Sequence, residues 1–430
     1  MTAKAKSSVE LGFAEEVPTW KLHHRYFPSK IGGFPAWLDL HSLPAPRDLQ
    51  CPVCSEPTSF LLQMYATEND ANAQNFHRTI FVFACRKTAC TTPGLSKSFI
   101  VLRCGLPRVN SMYSDEPPAE DPAAADPLIK HPLCAVCGCL APNTCASCKK
   151  SFYCSRSHQI LAWKNGHKEE CEKIRGDATI QRGEPVRNSA VTFAEYEIVA
   201  ESEEAQDPPN TTKSDQEKAS EYKNAVEKLK PELNDVGVDE LETFCARTKD
   251  KVFQQFRKRV AAYPTQVLRY QRDGVPLLIS SKNPPPEESR LPPCAVCRNS
   301  RRFEFQIMPQ LLNYLQQEES LTEGLDFGTV MVYTCPLNCR GERESYVREV
   351  AWVQCVDGEG EVRPEVNGDE DSGLILLVNL ILIGEIIFSC LFFTSSADLF
   401  KQYGGKGEAS LVIKIKSAKG FQHCCYYPYL

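Results

Sequence analysis

Cys51-Pro-Val-Cys54 is followed by Thr79-Ile-Phe-Val-Phe-Ala-Cys85, and far downstream Cys294-Ala-Val-Cys297 is followed by Thr329-Val-Met-Val-Tyr-Thr-Cys335. In both stretches the cysteine stands six positions after the threonine. The likeness extends outward. Gly33-Phe-Pro-Ala-Trp-Leu38 precedes Cys51, with Pro35 sixteen residues ahead of it; Gly274-Val-Pro-Leu-Leu-Ile279 precedes Cys294, with Pro276 eighteen ahead. Gln63 and Gln306 each lie nine residues beyond the second cysteine of their pair. A repeat of this kind is a diverged internal duplication. Ile80–Phe83 and Val330–Tyr333 are short and β-branched or aromatic, so they read as buried strands. Each delivers the chain to a second cysteine pair, while the first pair sits on the turn before the preceding strand. The result is a zinc-ribbon-like clamp on two strands, entered through Gly-x-Pro, where a permissive backbone meets a fixed φ. Trp37 reads as core packing.

Composition agrees with metal rather than disulfides. The 430 residues include 21 cysteines, and Met1–Trp20 shows no apolar run behind a basic segment, so no secretory signal is expected. Cysteines kept reduced bind metal more readily than they pair with each other. Four C-x-x-C pairs stand out: Cys51/Cys54, Cys134/Cys137, Cys145/Cys148 and Cys294/Cys297. Four wider pairs complete them: Cys85/Cys90, Cys154/His158, His167/Cys171 and Cys335/Cys339. A closed zinc site takes four protein ligands, so eight pairs imply four ions. Cys104, Cys139, Cys245, Cys355, Cys390, Cys424 and Cys425 stay outside these sets. The 49 Lys and Arg against 55 Asp and Glu leave a charge of −6, which argues against direct nucleic-acid binding.

The central run C-x2-C, C-x2-C, C-x3-H, H-x3-C at 134–171 resembles a MYND zinc finger. The resemblance implies interleaved ligands: Cys134, Cys137, Cys154 and His158 on one ion, Cys145, Cys148, His167 and Cys171 on the other. Ser157–Cys171 reads as a helical segment that turns His158, Trp163 and His167 inward. So small a module depends on metal for its folding free energy. As a class MYND fingers bind peptides, often proline-rich ones, which makes proline-rich segments and corepressors candidate partners.

The acidic, proline-rich stretches 107–130 and 176–235 read as linkers, the latter followed by a helical periodicity from Val238 to Ala262 through Leu241, Phe244, Cys245, Val252, Phe253, Phe256 and Val260. The fold expected is therefore α+β and β-rich: a zinc-stabilised duplicated domain (halves at 11–106 and 236–356) with a MYND finger inserted at 131–175. Whether the halves form one sheet or two stays open. A tail at 357–430 carries the apolar stretch Leu374–Phe393, near bilayer-spanning length but interrupted by Asn379 and Glu385. Lys401, Lys406, Lys414, Lys416 and Lys419 follow it, an order that would put the thiolates on the oxidising side of a membrane, so membrane association is not expected. An added hydrophobic element and an aberrant extension are the other readings of this stretch.

Lys30-Ile-Gly-Gly-Phe-Pro-Ala-Trp-Leu38, the finger, Phe253-Gln-Gln-Phe-Arg-Lys-Arg259, Gln266-Val-Leu-Arg-Tyr270 and Met308-Pro-Gln-Leu-Leu-Asn-Tyr-Leu315 together resemble the programmed cell death protein 2 family over roughly 11–356. The resemblance implies a non-enzymatic adaptor or chaperone for a newly made small-subunit ribosomal protein, supporting 40S ribosome biogenesis in cytoplasm and nucleus, with a link to apoptosis. The alternative is a nuclear transcriptional co-regulator that recruits corepressors through the finger. No Gly-rich cofactor loop marks a methyltransferase, and His158 and His167 are claimed as ligands rather than free for Cys–His catalysis. No catalytic residue is expected.

Overall fold

The computed structural model describes residues 8–67, 73–123, 127–176, 191–203, 250–315, 324–341 and 345–355, together with the backbone of two strands at 410–416 and 422–428. In the first part of the chain the strands are β1 (Glu10–Glu15), β2 (Lys30–Ile31), β3 (Ser59–Tyr65), β4 (His77–Ala84), β5 (Gly94–Leu95) and β6 (Phe99–Leu106). The finger contains β7 (Asn143–Thr144), β8 (Phe152–Tyr153), α1 (Arg156–Ala162) and α2 (Lys168–Gly176). There follow β9 (Tyr196–Ser202), α3 (Lys251–Val260), β10 (Gln266–Tyr270), β11 (Arg302–Ile307), β12 (Thr329–Thr334) and β13 (Tyr346–Gln354). Far downstream β14 (Ser410–Lys416) and β15 (Gln422–Pro428) pair only with each other.

The two halves form one sheet, and it closes. Its order is β12-β11-β10-β1-β9-β2-β3-β4-β6-β13, and β13 pairs back onto β12, with β5 as a short appendage to β13. Closure pairs the strand edges that an open sheet would expose. β4 and β12 are buried along their whole lengths, which is why Ile80–Ala84 and Val330–Tyr333 are apolar runs rather than polar–apolar alternations. Side chains still alternate by face. Ile80, Val82 and Ala84 of β4 meet Val330 and Val332 of β12 inside the barrel, whereas Phe81 and Phe83 point to an outer layer, as do Met331 and Tyr333 on the other side.

The duplication is visible strand by strand. β2-β3-β4-β6 corresponds to β10-β11-β12-β13, and β1 with β9 fills the gap between β2 and β10. In the second half the left-handed backbone position before proline is Asp273 (φ 57°), not Gly274, whereas Gly33 takes it in the first half (φ 65°). The outer face of the first half is covered by Trp37–Leu40 and then by the finger. Trp37 is fully buried against Phe81, Phe83 and Tyr346, the last from the second half, and its indole N–H donates to the Gly138 carbonyl at 2.9 Å. The outer face of the second half is covered by Leu278 and Leu291, with α3 alongside, its Phe253, Phe256 and Val260 packed on Ile279 and Met308. Asp250 starts that helix, its carboxylate accepting from the Val252 amide at 2.8 Å.

Both linker expectations need correction. The segment 176–235 contains β9, an integral barrel strand held by β1 and β2, because Ile198 supplies an inward side chain while the glutamates flanking it stay on the outer side. The segment 107–130 lies against the first half: Tyr113 is buried, its hydroxyl donating to the Leu38 carbonyl at 2.9 Å, and Arg25 donates to the Asp121 carbonyl at 2.8 Å. Leu241, Phe244, Cys245, Cys390 and the apolar stretch 374–393 lie outside the described residues. No helix among the described residues is long and apolar enough to cross a membrane.

Candidate metal centres

Each of the four C-x-x-C turns is built the same way. The residue after the second cysteine is left-handed: Ser55 (φ 60°), Gly138 (φ 70°), Lys149 (φ 59°) and Arg298 (φ 64°). Its amide returns to the carbonyl of the first cysteine, as in Ser55 to Cys51 at 2.8 Å, Gly138 to Cys134 at 2.9 Å, Lys149 to Cys145 at 3.0 Å and Arg298 to Cys294 at 3.0 Å. Three of these four residues accept the left-handed penalty of about 1–2 kcal/mol without being glycine. The turn aims both thiols at one point.

Four groups of donor atoms converge, each with all members within 4.8 Å of one another: Cys51, Cys54, Cys85 and Cys90; Cys134, Cys137, Cys154 and His158; Cys145, Cys148, His167 and Cys171; Cys294, Cys297, Cys335 and Cys339. All the sequence-proposed ligands are therefore brought together, in the sets expected. Sulfur–sulfur distances inside them fall between 3.6 and 3.9 Å (Cys137–Cys154, Cys145–Cys171, Cys54–Cys85, Cys297–Cys335). That is far beyond a disulfide bond of about 2.05 Å and close to the edge, about 3.8 Å, of a tetrahedron with 2.3 Å zinc–sulfur bonds. The thiol and imidazole donor set fits zinc.

In the finger the two histidines present different nitrogens. Ser155 caps α1, its hydroxyl accepting from the His158 amide at 3.2 Å, and His158 Nδ1 lies 3.1 Å from Cys154 Sγ. His167 offers Nε2, 3.8 Å from Cys148 Sγ, while its Nδ1 meets a Glu170 carboxylate oxygen at 3.0 Å. A carboxylate on the far nitrogen fixes the tautomer and raises ligand basicity. Glu170 escaped the sequence reading, although an acid three residues after a ligand on a helix is a findable signal. Trp163 departs from expectation: it is 43% exposed. A π-turn at Trp163–His167, with Gly166 at φ 110°, breaks the regular helical spacing. It re-aims His167 inward and leaves Trp163 edge-on to it at 5.9 Å.

In each group one thiol is biased towards the thiolate. Burial opposes ionisation of Cys145, but the Cys148 backbone amide and His167 bring it down to about 6. Burial likewise opposes ionisation of Cys297, yet the Asn299 amide and Cys339 lower it to about 6. Cys54 is lowered, against burial, by the Glu56 backbone, and Cys134 is lowered by hydrogen bonds from Cys137 and Cys154. Their neighbours move the other way: burial raises Cys90 to about 11 and Cys339 to about 12. Three or four thiols crowded together cannot share negative charge without a cation, which zinc supplies when bound.

The two outer groups sit at opposite ends of the barrel. β4, β6, β13 and β12 are successively antiparallel, so Cys85 and Cys335, which follow β4 and β12, emerge at opposite rims. At the Cys335 end a buried ionic plug supports the cluster. Arg78 grips Glu304 through both guanidinium arms, Nη2 to Oε2 at 2.7 Å, and donates to Asn338 Oδ1 at 2.8 Å. Arg103 and Arg301 share Glu349, which accepts from the Cys335 amide at 3.2 Å, and Arg103 also reaches the Cys339 carbonyl at 2.9 Å.

Comparison with known proteins places this arrangement. The N-terminal domain of programmed cell death protein 2 matches residues 8–120, its C-terminal domain residues 250–355, and the MYND finger residues 134–171. Programmed cell death protein 2 of Mus musculus is 40% identical over 366 residues, spanning 83% of this chain and 99% of that protein. The chain belongs to the programmed cell death protein 2 family. Within and around that family, programmed cell death protein 2-like of Homo sapiens is 28% identical over 72% of this chain and 85% of its own length. A Schizosaccharomyces pombe protein named "Probable 20S rRNA accumulation protein 4" is 30% identical over 34% of this chain and 38% of its own length. No solved structure matches. The two family domains thus supply nine of the ten barrel strands, β9 joining them from the intervening chain, and the finger is an insertion docked on the first half.

Proposed function

We propose that this chain is a non-enzymatic, zinc-dependent adaptor that chaperones a newly made small-subunit ribosomal protein and so supports 40S ribosome biogenesis, working in cytoplasm and nucleus. The observation that carries the reading is the likeness to the Schizosaccharomyces pombe protein named for 20S rRNA accumulation. The metal chemistry supports it. Each cluster offers four protein ligands, so one zinc per cluster (two in the finger, two at the barrel rims) is held with no open position for substrate or water. An acidic chain of net charge −6 suits a basic client by charge complementarity. Depleting the protein from cells is expected to raise 20S rRNA, and affinity purification to recover one small-subunit protein in near-equal amount. Unchanged 20S rRNA with a broad scatter of unrelated proteins overturns the reading.

A second reading, recruitment of corepressor segments by the finger, draws on Ile160 and Trp163, which stand 46% and 43% exposed around α1. Trp163→Ala separates the two: it abolishes corepressor binding under this reading and leaves 20S rRNA unchanged.

A further inference from the structure

A cradle on the first half holds the acidic, proline-rich segment that leads to the finger. It is made by Trp20, Lys21, His24, Arg25 and Tyr26, which lie in two short 3-10 turns. The Trp20 and Tyr26 rings meet edge-on at 5.5 Å, the Arg25 guanidinium stacks 4.7 Å over Tyr26, and Lys21 lies 5.6 Å over Trp20. Three consecutive residues then bind backbone carbonyls of the segment. His24 Nε2 is 3.0 Å from the Pro127 carbonyl, Arg25 donates to that of Asp121 at 2.8 Å, and Tyr26 Oη donates to that of Ala119 at 3.1 Å. Lys21 adds an ion pair with Glu120 at 3.8 Å.

Two features set this apart from ordinary packing. The direct hydrogen bonds named above go to main-chain oxygens and fix the path of the chain, whereas the Lys21–Glu120 ion pair reads its acidic side chains. The segment also gains almost no burial in return: Ser114–Ala123 is exposed throughout, although Arg25 beneath it is buried. The Tyr26 hydrogen bond and the Lys21–Glu120 ion pair lie at the exposed surface, where water competes for each of them. The segment stays in place mainly because it is tethered, which gives it a millimolar effective concentration at the cradle. Flat rings beside guanidinium and ammonium groups are the chemistry that receives proline faces together with carboxylates.

We infer that the Trp20–Tyr26 cradle is a binding site for acidic, proline-rich peptide segments, kept occupied in the resting chain by its own residues 114–123. A partner segment of the same chemistry takes the site by displacing this strap. The surface is separate from the finger and from all four metal clusters, and the inference does not depend on the ribosomal reading.

The test uses full-length protein in which 114–123 is replaced by a Gly/Ser segment of equal length, with metal content and thermal unfolding as folding controls. The probe is a fluorescent peptide of sequence Ser-Asp-Glu-Pro-Pro-Ala-Glu-Asp-Pro-Ala, the strap itself. It is expected to bind the strapless chain at least about tenfold more tightly than the natural chain. That gain is expected to disappear in strapless chain carrying Arg25→Met and Tyr26→Phe, and with a peptide bearing lysine at its acidic positions. Equal binding by natural and strapless chains, or equal binding of the lysine peptide, overturns the inference. Should the Gly/Ser chain not fold, D115K/E116K/E120K/D121K takes its place, setting the strap's charge against Lys21 and Arg25, and the same comparison decides.

Discussion

Gln63 and Gln306 clasp the same backbone position in the two halves of the barrel. Gln63 Oε1 accepts from the Ala36 amide at 2.9 Å and its Nε2 donates to the Ala36 carbonyl at 3.3 Å; Gln306 does the same to Leu277, at 2.6 and 3.0 Å. Both glutamines are buried. Each fastens the segment after Gly-x-Pro to the outer face of its sheet, and a buried amide removed there leaves main-chain groups unpaired. Gln63→Ala and Gln306→Ala are each expected to cost about 2–3 kcal/mol, similar in the two halves, by denaturant unfolding. A loss confined to one of them would mean that the clasp supports only one half.

The left-handed turns make opposite predictions at equivalent positions. Arg298 (φ 64°) has a Cβ where glycine has none, so Arg298→Gly is expected to be neutral or to stabilise by up to about 1 kcal/mol. Gly138 (φ 70°) would place a new Cβ 2.8 Å from Phe34 Cβ, in the contact between finger and barrel. Gly138→Ala is expected to cost about 3 kcal/mol and to loosen the finger from Trp37, read as rising indole exposure in fluorescence quenching.

Native mass spectrometry is expected to count four zinc ions in the natural chain, one per cluster. Cys145→Ser should remove one ion and unfold the finger locally while the barrel persists. Cys335→Ser should remove one ion and lower the stability of the barrel itself, because the Cys335–Cys339 loop is bonded to Glu349, Arg103 and Arg78 through Asn338. Strong chelator is expected to strip all four ions with a loss of stability; a fold unchanged without metal would remove the basis of this account.

The ionic plug predicts a pH signature. Burial works against charge on Glu304, but the Arg78 guanidinium holds its carboxyl down to about 2. A carboxyl depressed on folding stabilises fully above its unfolded value near 4.5, and that contribution fades as the pH falls towards 2. Glu304→Gln leaves Arg78 buried without its counter-charge and is expected to cost about 3–5 kcal/mol at neutral pH. The gap between natural chain and variant should shrink as the pH drops below about 4.5. Since metal loss in acid affects both proteins, the difference between them isolates the plug.

Much of this was legible in the linear pattern. Ile80–Phe83 and Val330–Tyr333 announce buried strands because β-branched and aromatic residues follow one another without a polar break, and their cysteines follow at matching spacing. What misled was composition. Tyr196–Ser202 looks like part of an acidic linker, yet a barrel strand needs only one apolar face, and Ile198 was enough to supply it beside β1 and β2. Trp163 was misplaced because a π-turn shifts phase without leaving a mark beyond Gly166.

The cysteine pairs and the duplication were determined by local pattern, because two thiols close along the chain can grip one ion and their spacing records it, whereas the interleaving of pairs in the finger was implied by its resemblance to a MYND finger. Closure of ten strands into one barrel, the opposite placement of the rim clusters and the buried union of Arg78 with Glu304 were decided only in three dimensions. These depend on which strand finds which neighbour across hundreds of residues, and hydrogen bonds between main chains carry no signature of the side chains that bring them together.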